Sequence, residues 1–368
     1  MIPEIKEWRV VIFLLVLSCK LEWIVDGQPQ PQVPCFFIFG DSLSDSGNNN
    51  DLETAARANY KPYGIDYPDG PTGRFTNGKT IMDVVAEHLG FDHHIPPFRT
   101  ASGDIILKGV NYASGSAGIF EETGTHLGAN VHLTQQIKNH ETTITKMVEI
   151  LGNEEAASNQ LKQCLFSVGM GNNDFINNYF LPHIYPTSQH YDLQEYAKAL
   201  SAEYNTQLKA LYGLGARKFM LSGLGKIGCT PYGIITFGAG KVCAEEMNEG
   251  SRLFNLEVVD LVDKLNKELP DAKFIFLNNT SIGNGDPFKI GFTNFAAGCC
   301  KVREDGQCNP NEEPCINRKE FVFWDHFHPT EVTNILTASR TYTAFDPTDC
   351  YPTDVRQLAL LQLSSAKV

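Results

Sequence analysis

Five short runs rich in β-branched and aromatic residues punctuate this 368-residue chain, at Cys35–Phe39, Gly109–Ala113, Leu165–Val168, Lys218–Leu221 and Lys273–Leu277. A segment of helical period stands in each gap between them. Ile81, Val84, Val85 and Leu89 mark the first; Leu133, Ile137, Ile144, Met147, Val148 and Leu151 the second. Leu193, Tyr196, Ala197, Leu200, Tyr204 and Leu208 mark the third, and Phe254, Val258, Leu261, Leu265 and Leu269 the fourth. Apolar residues three and four apart line one face of a helix, and that face must be buried. Strands joined by helices of this length need crossover connections, which predicts a parallel sheet covered on both sides. We read one three-layer α/β domain over residues 28–368, with no Pro/Ser-rich linker and no internal repeat. Ligands of such sheets bind beyond the carboxyl ends of the strands, so the chemistry is expected just after each run.

Charge and leader narrow the setting. The chain carries 43 Asp+Glu against 30 Lys+Arg, a net charge of -13, which repels phosphate backbones and disfavours nucleic-acid partners. Val10–Leu17 is an apolar run behind Lys6 and Arg9, far short of the ~18–20 residues that span a bilayer. It reads as a secretory signal peptide over residues 1–27, cleaved near Val25-Asp26-Gly27, with no stable membrane insertion. Of the ten cysteines, Cys19 falls in that leader. The other nine include no C-x-x-C pair, so zinc spacing is missing and no metal is expected. Cys299, Cys300, Cys308 and Cys315 crowd one loop, which in an oxidising compartment reads as local disulfide stapling. Cys229 and Cys243 could close another, and the odd count leaves at least one thiol over. Overlapping sequons at Asn278 and Asn279 add support for secretion, with at most one of the two expected to carry a glycan.

Three loops after strand-like runs, and one segment near the C-terminus, carry candidate chemistry. Phe39-Gly40-Asp41-Ser42 follows the first run. Alone, its serine reads as a turn or helix N-cap, and no G-x-S-x-G elbow occurs anywhere. Gly109-Val110-Asn111-Tyr112-Ala113-Ser114-Gly115 follows as a stretch of small residues, and Gly171-Asn172-Asn173-Asp174 comes after the third run. Asp325-His326-Phe327-His328-Pro329 is the most informative. A spacing of three places Asp325 and His328 on one side of a helical turn, where a carboxylate can orient an imidazole for general-base work. Read without the other segments, a surface histidine packed beside Pro329 stands equally open.

Taken together, in this order, these blocks resemble the plant GDSL esterase/lipase family, a branch of the SGNH hydrolases, over about residues 34–345. The resemblance implies a flavodoxin-like α/β/α sandwich with a five-stranded parallel sheet. It implies Ser42 as nucleophile, His328 as general base and then acid, and Asp325 as its orienting carboxylate. The oxyanion donors would be the Ser42 and Gly115 backbone N–H groups and the Asn173 amide. Ser116 stands where the family usually has a second glycine; its own N–H could serve in place of that of Gly115, a change that is costly only if φ there is positive.

The expected protein is thus a secreted carboxylic ester hydrolase working through an acyl-enzyme, without metal or organic cofactor. Lipid, acetylated-polysaccharide and phenolic esters remain open as substrates, and the family resemblance suggests the cell wall or apoplast. Acyl transfer by the same residues is the alternative chemistry, and a non-catalytic secreted binding or defence protein the alternative class. Asp41 and Asp45 read as turn and cap residues, and Asp174 as a support of its loop. His93, His94 and His140 read as surface histidines, and Asn48–Asp51 as a solvated loop that could border the cleft.

Overall fold

The alternation of side chains in the strand runs decides the layering. A computed structural model describes residues 30–285 and 287–362; the expected leader at residues 1–27 lies outside them. The regular strands are β1 (Phe36–Gly40), β2 (Leu165–Gly169), β3 (Lys218–Ser222) and β4 (Lys273–Leu277). They pair parallel in that order. Phe37, Phe39, Phe166, Val168, Phe219, Leu221, Phe274 and Phe276 point to one core. Phe36, Ile38, Leu165, Met220, Ile275 and Leu277 point to a second core on the opposite face. Because successive residues of a strand face opposite ways, each run feeds both cores and reads as continuously apolar.

Helices cover both faces. On the second face lies α1 (Ile81–Leu89), opened by a Thr80–Asp83 capping box and closed by Gly90 in the left-handed conformation. The first face takes α2 (Leu133–Leu151), α3 (Glu154–Leu161), α4 (Leu193–Gly213) and, after the short α5 (Pro231–Phe237), the long α6 (Glu245–Glu268). The residues that marked the helical periods are those packed inward: Val84, Val85 and Leu89 on α1, Tyr196, Leu200, Tyr204 and Leu208 on α4, Phe254, Val258, Leu261 and Leu265 on α6. The chain is a three-layer α/β/α sandwich, and from Gln32 onward it clusters as one compact unit.

Two expectations need correction. Gly109–Ala113 does run parallel along the free edge of β1, through Ile38 N–H to Val110 O (3.1 Å) and Tyr112 N–H to Ile38 O (2.7 Å). It makes isolated bridges rather than a regular strand, since Gly109 sits at φ 126° with its α-carbon so close to Phe36 that a Cβ would lie 1.9 Å from the Phe36 carbonyl oxygen. The fifth ladder strand is instead β7 (Cys350–Tyr351), antiparallel to β4. Before it come a small two-stranded sheet, β5 (Asn294–Gly298) with β6 (Phe321–Phe323), and helix α7 (Glu331–Tyr342); α8 (Val355–Leu360) follows it. The second correction concerns His140, which is not on the surface. It lies on the inner face of α2, fully buried among Phe37, Phe39, Tyr112 and Phe166, with Nδ1 3.0 Å from the Tyr112 hydroxyl.

The nine cysteines resolve into Cys35–Cys164, Cys229–Cys243, Cys299–Cys315 and Cys300–Cys308, with Cys350 buried as a free thiol. The local staples expected at 299–315 and 229–243 are present. Cys35–Cys164 was not legible from spacing; it joins the entries of β1 and β2, 129 residues apart. No described helix is long and apolar enough to cross a membrane.

His140 generates a test of stability against pH. Burial without an ionic partner pushes its imidazole down to about 3. Between that value and the ordinary histidine range the unfolded chain binds a proton that the folded chain refuses, so stability falls as pH falls. From about pH 6.5 to about pH 5 the wild type should lose about 2 kcal/mol more than His140→Leu does. Urea melts of both proteins at the two pH values measure this, and parallel losses would show that His140 is not the group responsible.

Candidate active site

Ser42 lies two residues past the carboxyl end of β1, at the edge where the strand order reverses between the 109–113 segment and β2. The chain turns sharply there. Asp41 Oδ1 accepts the Leu43 N–H (3.0 Å), and the Ser44 and Asp45 amides fold back onto the Asp41 carbonyl (3.1 and 3.0 Å). Asp41 is buried, and burial raises its carboxyl above the ordinary range; the Asn172 amide (3.1 Å) steadies its other oxygen. Asp41 and Asp45 are turn and cap residues, Asp45 Oδ1 taking the Gly47 and Asn48 amides at 2.7 and 2.8 Å.

His328 reaches Ser42 from the far end of the chain. Its Nε2 lies 2.8 Å from Ser42 Oγ, and its Nδ1 lies 2.7 Å from Asp325 Oδ2. An ionised carboxylate accepts only, so Nδ1 must carry the proton and Nε2 presents a lone pair to the serine hydroxyl. The expected helical turn is absent. Asp325 and His328 sit in a bend between β6 and α7, closed by the Asp325 side chain itself, whose Oδ1 accepts the Phe327 and His328 amides at 2.8 Å each. Asp325 is wholly buried. Desolvation pushes its carboxyl up, but the charge and hydrogen bond of His328, together with the Tyr63 hydroxyl and these amides, hold it below the ordinary range. Phe75 packs on the imidazole with ring centroids 5.0 Å apart. His326 turns away, tied by its backbone to Gly306 and Tyr232.

Of the three expected oxyanion donors, the Ser42 N–H has no intramolecular partner among the described residues. Asn173 is buried; its Oδ1 accepts from Asn177 (2.7 Å) and one proton of its Nδ2 goes to the Ala117 carbonyl (2.9 Å), which leaves the second proton available. Gly115 departs from expectation. Its N–H is held by Asp45 Oδ2 at 3.0 Å, because a buried carboxylate gathers every donor in reach; even so, burial raises Asp45 to about 6. The Ser116 N–H has no partner among the described residues, and Ser116 sits at φ 62°, a left-handed conformation that costs an L-residue about 1–2 kcal/mol.

In the amide-rich loop after Ser42, Asp51 is exposed as expected, but Asn48 and Asn49 are buried rather than solvated. Asn48 donates to the Asn111 and Ala113 carbonyls (2.9 and 2.8 Å), Asn49 to those of Ala56 and Gly115 (2.8 and 3.0 Å), and Asn111 to that of Ser44 (2.7 Å). These bonds lock the first two sequence blocks together. Asp174 ties the third block to the segment that follows the second through the Ile119 and Phe120 amides (2.9 and 3.1 Å) and Thr123 (2.8 Å). A solvent-open recess borders the Ser42 turn over the ends of β1–β4, lined in part by Asp41, Leu43, Asn172, Ser222 and Leu277. The sequon asparagines follow β4. The Asn279 amide nitrogen is taken by the Gly223 carbonyl (2.7 Å), and Asn278 Oδ1 accepts from Ser281 (3.1 Å).

Sequence reasoning missed two contributors. Tyr63 donates to Asp325 Oδ2 at 2.6 Å across 262 residues, and Phe75 backs the imidazole. Neither lies in a periodic or motif-like segment, so no local signal pointed to them. Both ride on a loop pinned to α1 by the buried Arg74–Asp83 pair (2.7 Å) and to the residues after His328 by Thr76 Oγ1 to Pro329 O (2.9 Å).

Comparison with known proteins identifies the family. The model of the family described as GDSL-like Lipase/Acylhydrolase matches residues 36–341. GDSL esterase/lipase At1g29670 of Arabidopsis thaliana is 48% identical over 363 residues, covering 97% of this chain and 99% of the relative. Arabidopsis GDSL esterase/lipases At1g29660 and At4g18970 are 47% and 46% identical, covering 97% and 96% of this chain and 99% of each relative. The chain belongs to the GDSL esterase/lipase family and is a carboxylic ester hydrolase.

Proposed function

We propose that the protein is a secreted serine esterase in which Ser42 forms an acyl-enzyme, His328 shuttles the proton and Asp325 orients His328. The observation that carries this reading is the continuous Asp325–His328–Ser42 hydrogen-bond chain, at 2.7 and 2.8 Å, open at the nucleophile end and sealed from water at the carboxylate end. As Ser42 Oγ attacks an ester carbonyl, its proton passes to His328 Nε2, and the imidazolium is stabilised by Asp325. The carbonyl oxygen becomes an oxyanion. The Ser42 N–H and the free proton of the Asn173 amide meet it, with the Ser116 N–H as third donor in place of the engaged Gly115 N–H. Collapse expels the alcohol, which takes its proton from His328, and water then repeats the sequence to release the acid. Four disulfides suit an oxidising compartment and so support export, with residues 1–27 as the leader and 28–368 as the single mature domain. Of the two sequon positions Asn278 is the one we assign to glycosylation, since the Asn279 amide nitrogen is already bonded.

Hydrolysis of p-nitrophenyl esters from acetate to palmitate tests the chemistry. Ser42→Ala should lower kcat by more than about 10⁴-fold while folding as the wild type does. Comparable turnover by both proteins would remove Ser42 from the mechanism. Asn173→Ala should reduce kcat by about 10²–10³-fold with little change in KM, because the amide is used mainly in the transition state. A change confined to KM would instead make Asn173 a ground-state contact.

A further inference from the structure

We propose that Tyr63 is a positioning residue that governs how strongly Asp325 supports His328, and thereby the pH range over which the base works. The inference rests on the relay described above and adds a member to it. The Tyr63 hydroxyl donates to Asp325 Oδ2 at 2.6 Å, the same oxygen that receives His328 Nδ1–H at 2.7 Å. The direction of that bond is forced from both sides. The carboxylate can only accept, and the phenol oxygen itself accepts the Cys308 N–H at 3.2 Å. Burial keeps the phenol protonated, its titration pushed well above the ordinary tyrosine range.

Two donors on one oxygen compete. Each draws negative charge toward itself and weakens the other, and the displaced charge has no free acceptor position to occupy, because Oδ1 already holds the Phe327 and His328 amides. Tyr63 therefore reduces the stabilisation that Asp325 lends the imidazolium. The phenol also fixes where Oδ2 lies. It is fully buried, and its partner Cys308 is strapped to Cys300 beside Trp324. Other ionisable groups face this cluster without bonding to the carboxylate among the described residues. Asp41 acts on His328, Tyr60 and His326 on Asp325, and Arg303 with Asp305 on the Tyr60–Tyr63 pair. They stay in place when the phenol alone is changed.

Tyr63→Phe keeps the ring and deletes the donor. In kcat/KM against pH on a p-nitrophenyl ester, the acid limb should move up by about 0.5–1 pH unit, with the plateau within about threefold of wild type. Activity lowered uniformly with the limb unmoved would mean a packing role and would overturn the proposal. 3-Fluorotyrosine incorporated at Tyr63, a stronger donor of nearly the same shape, should move the limb the other way; this arm also serves if Tyr63→Phe does not fold. A spectroscopic arm needs no turnover. In Ser42→Ala protein at low pH, the Nδ1 proton of His328 should resonate further downfield when Tyr63→Phe is added, because the remaining bond to Oδ2 strengthens. An unchanged resonance counts against the coupling. Absence of ester hydrolysis by the wild type would instead count against the catalytic reading and leave this arm decisive for Tyr63.

Discussion

The Asp325 carboxylate is a full charge with no contact to water, and much of the C-terminal third of the fold exists to make that tolerable. An isolated buried carboxylate would take up a proton rather than stay ionised, and a neutral acid cannot orient an imidazole for base catalysis. Four donors prevent that: two backbone amides from the bend, the His328 ring and the Tyr63 hydroxyl. Each belongs to a segment that is itself held. The small β5–β6 sheet carries the bend, with the Cys299 and Cys300 amides bonded to the Phe323 and Trp324 carbonyls at 3.0 and 2.9 Å. Gly298 is glycine because a Cβ there would lie 2.8 Å from the Asp325 carbonyl oxygen. The Cys299–Cys315 and Cys300–Cys308 bridges close the loop that brings Cys308 to Tyr63.

The Ser42 side follows a different logic. In the proposed mechanism Ser42 needs freedom at its Oγ and its amide, and the hydrogen bonds of the turn fall on its neighbours. Asp41 and Asp45 collect the surrounding N–H groups, and Asn48, Asn49 and Asn111 collect the carbonyls. The result is a rigid turn with a few unpaired donors left in it, which suits a charge that appears only in the transition state. Asp45 has a second effect. By holding the Gly115 N–H it assigns that amide to structure, and the strained Ser116 next to it is left with the free one.

Much of this was legible in the chain itself. The strand runs at Leu165–Val168, Lys218–Leu221 and Lys273–Leu277, and the inward faces of α1, α4 and α6, follow from apolar spacing, because burial of those faces is what drives the layers together. Ser42, Asp325 and His328 stood out because their blocks occur in a family's order. What failed, failed for local reasons. The bend at Asp325 is shaped by its own side chain rather than by helical hydrogen bonds, so a spacing of three pointed to two side chains that do meet, but through the wrong geometry. His140 and the Asn48–Asn49 pair look polar in sequence and are buried in the fold. An inner helix face took the imidazole, and buried carbonyls of the neighbouring segments took the amides.

The sequence alone therefore determined the layer architecture and the family, and it singled out Ser42, Asp325 and His328 as candidates, since these depend on periodicity and on residue types in order. Only the tertiary structure decided what those side chains feel. Ser42 and His328 meet across 286 residues, Tyr63 and Asp325 across 262, and Cys35 and Cys164 across 129. Contacts of that range leave no trace in spacing, because they are set by how helices and loops stack on the sheet. The proton path, the donors available to an oxyanion and the burial that keeps Asp325 dry are all properties of that stacking.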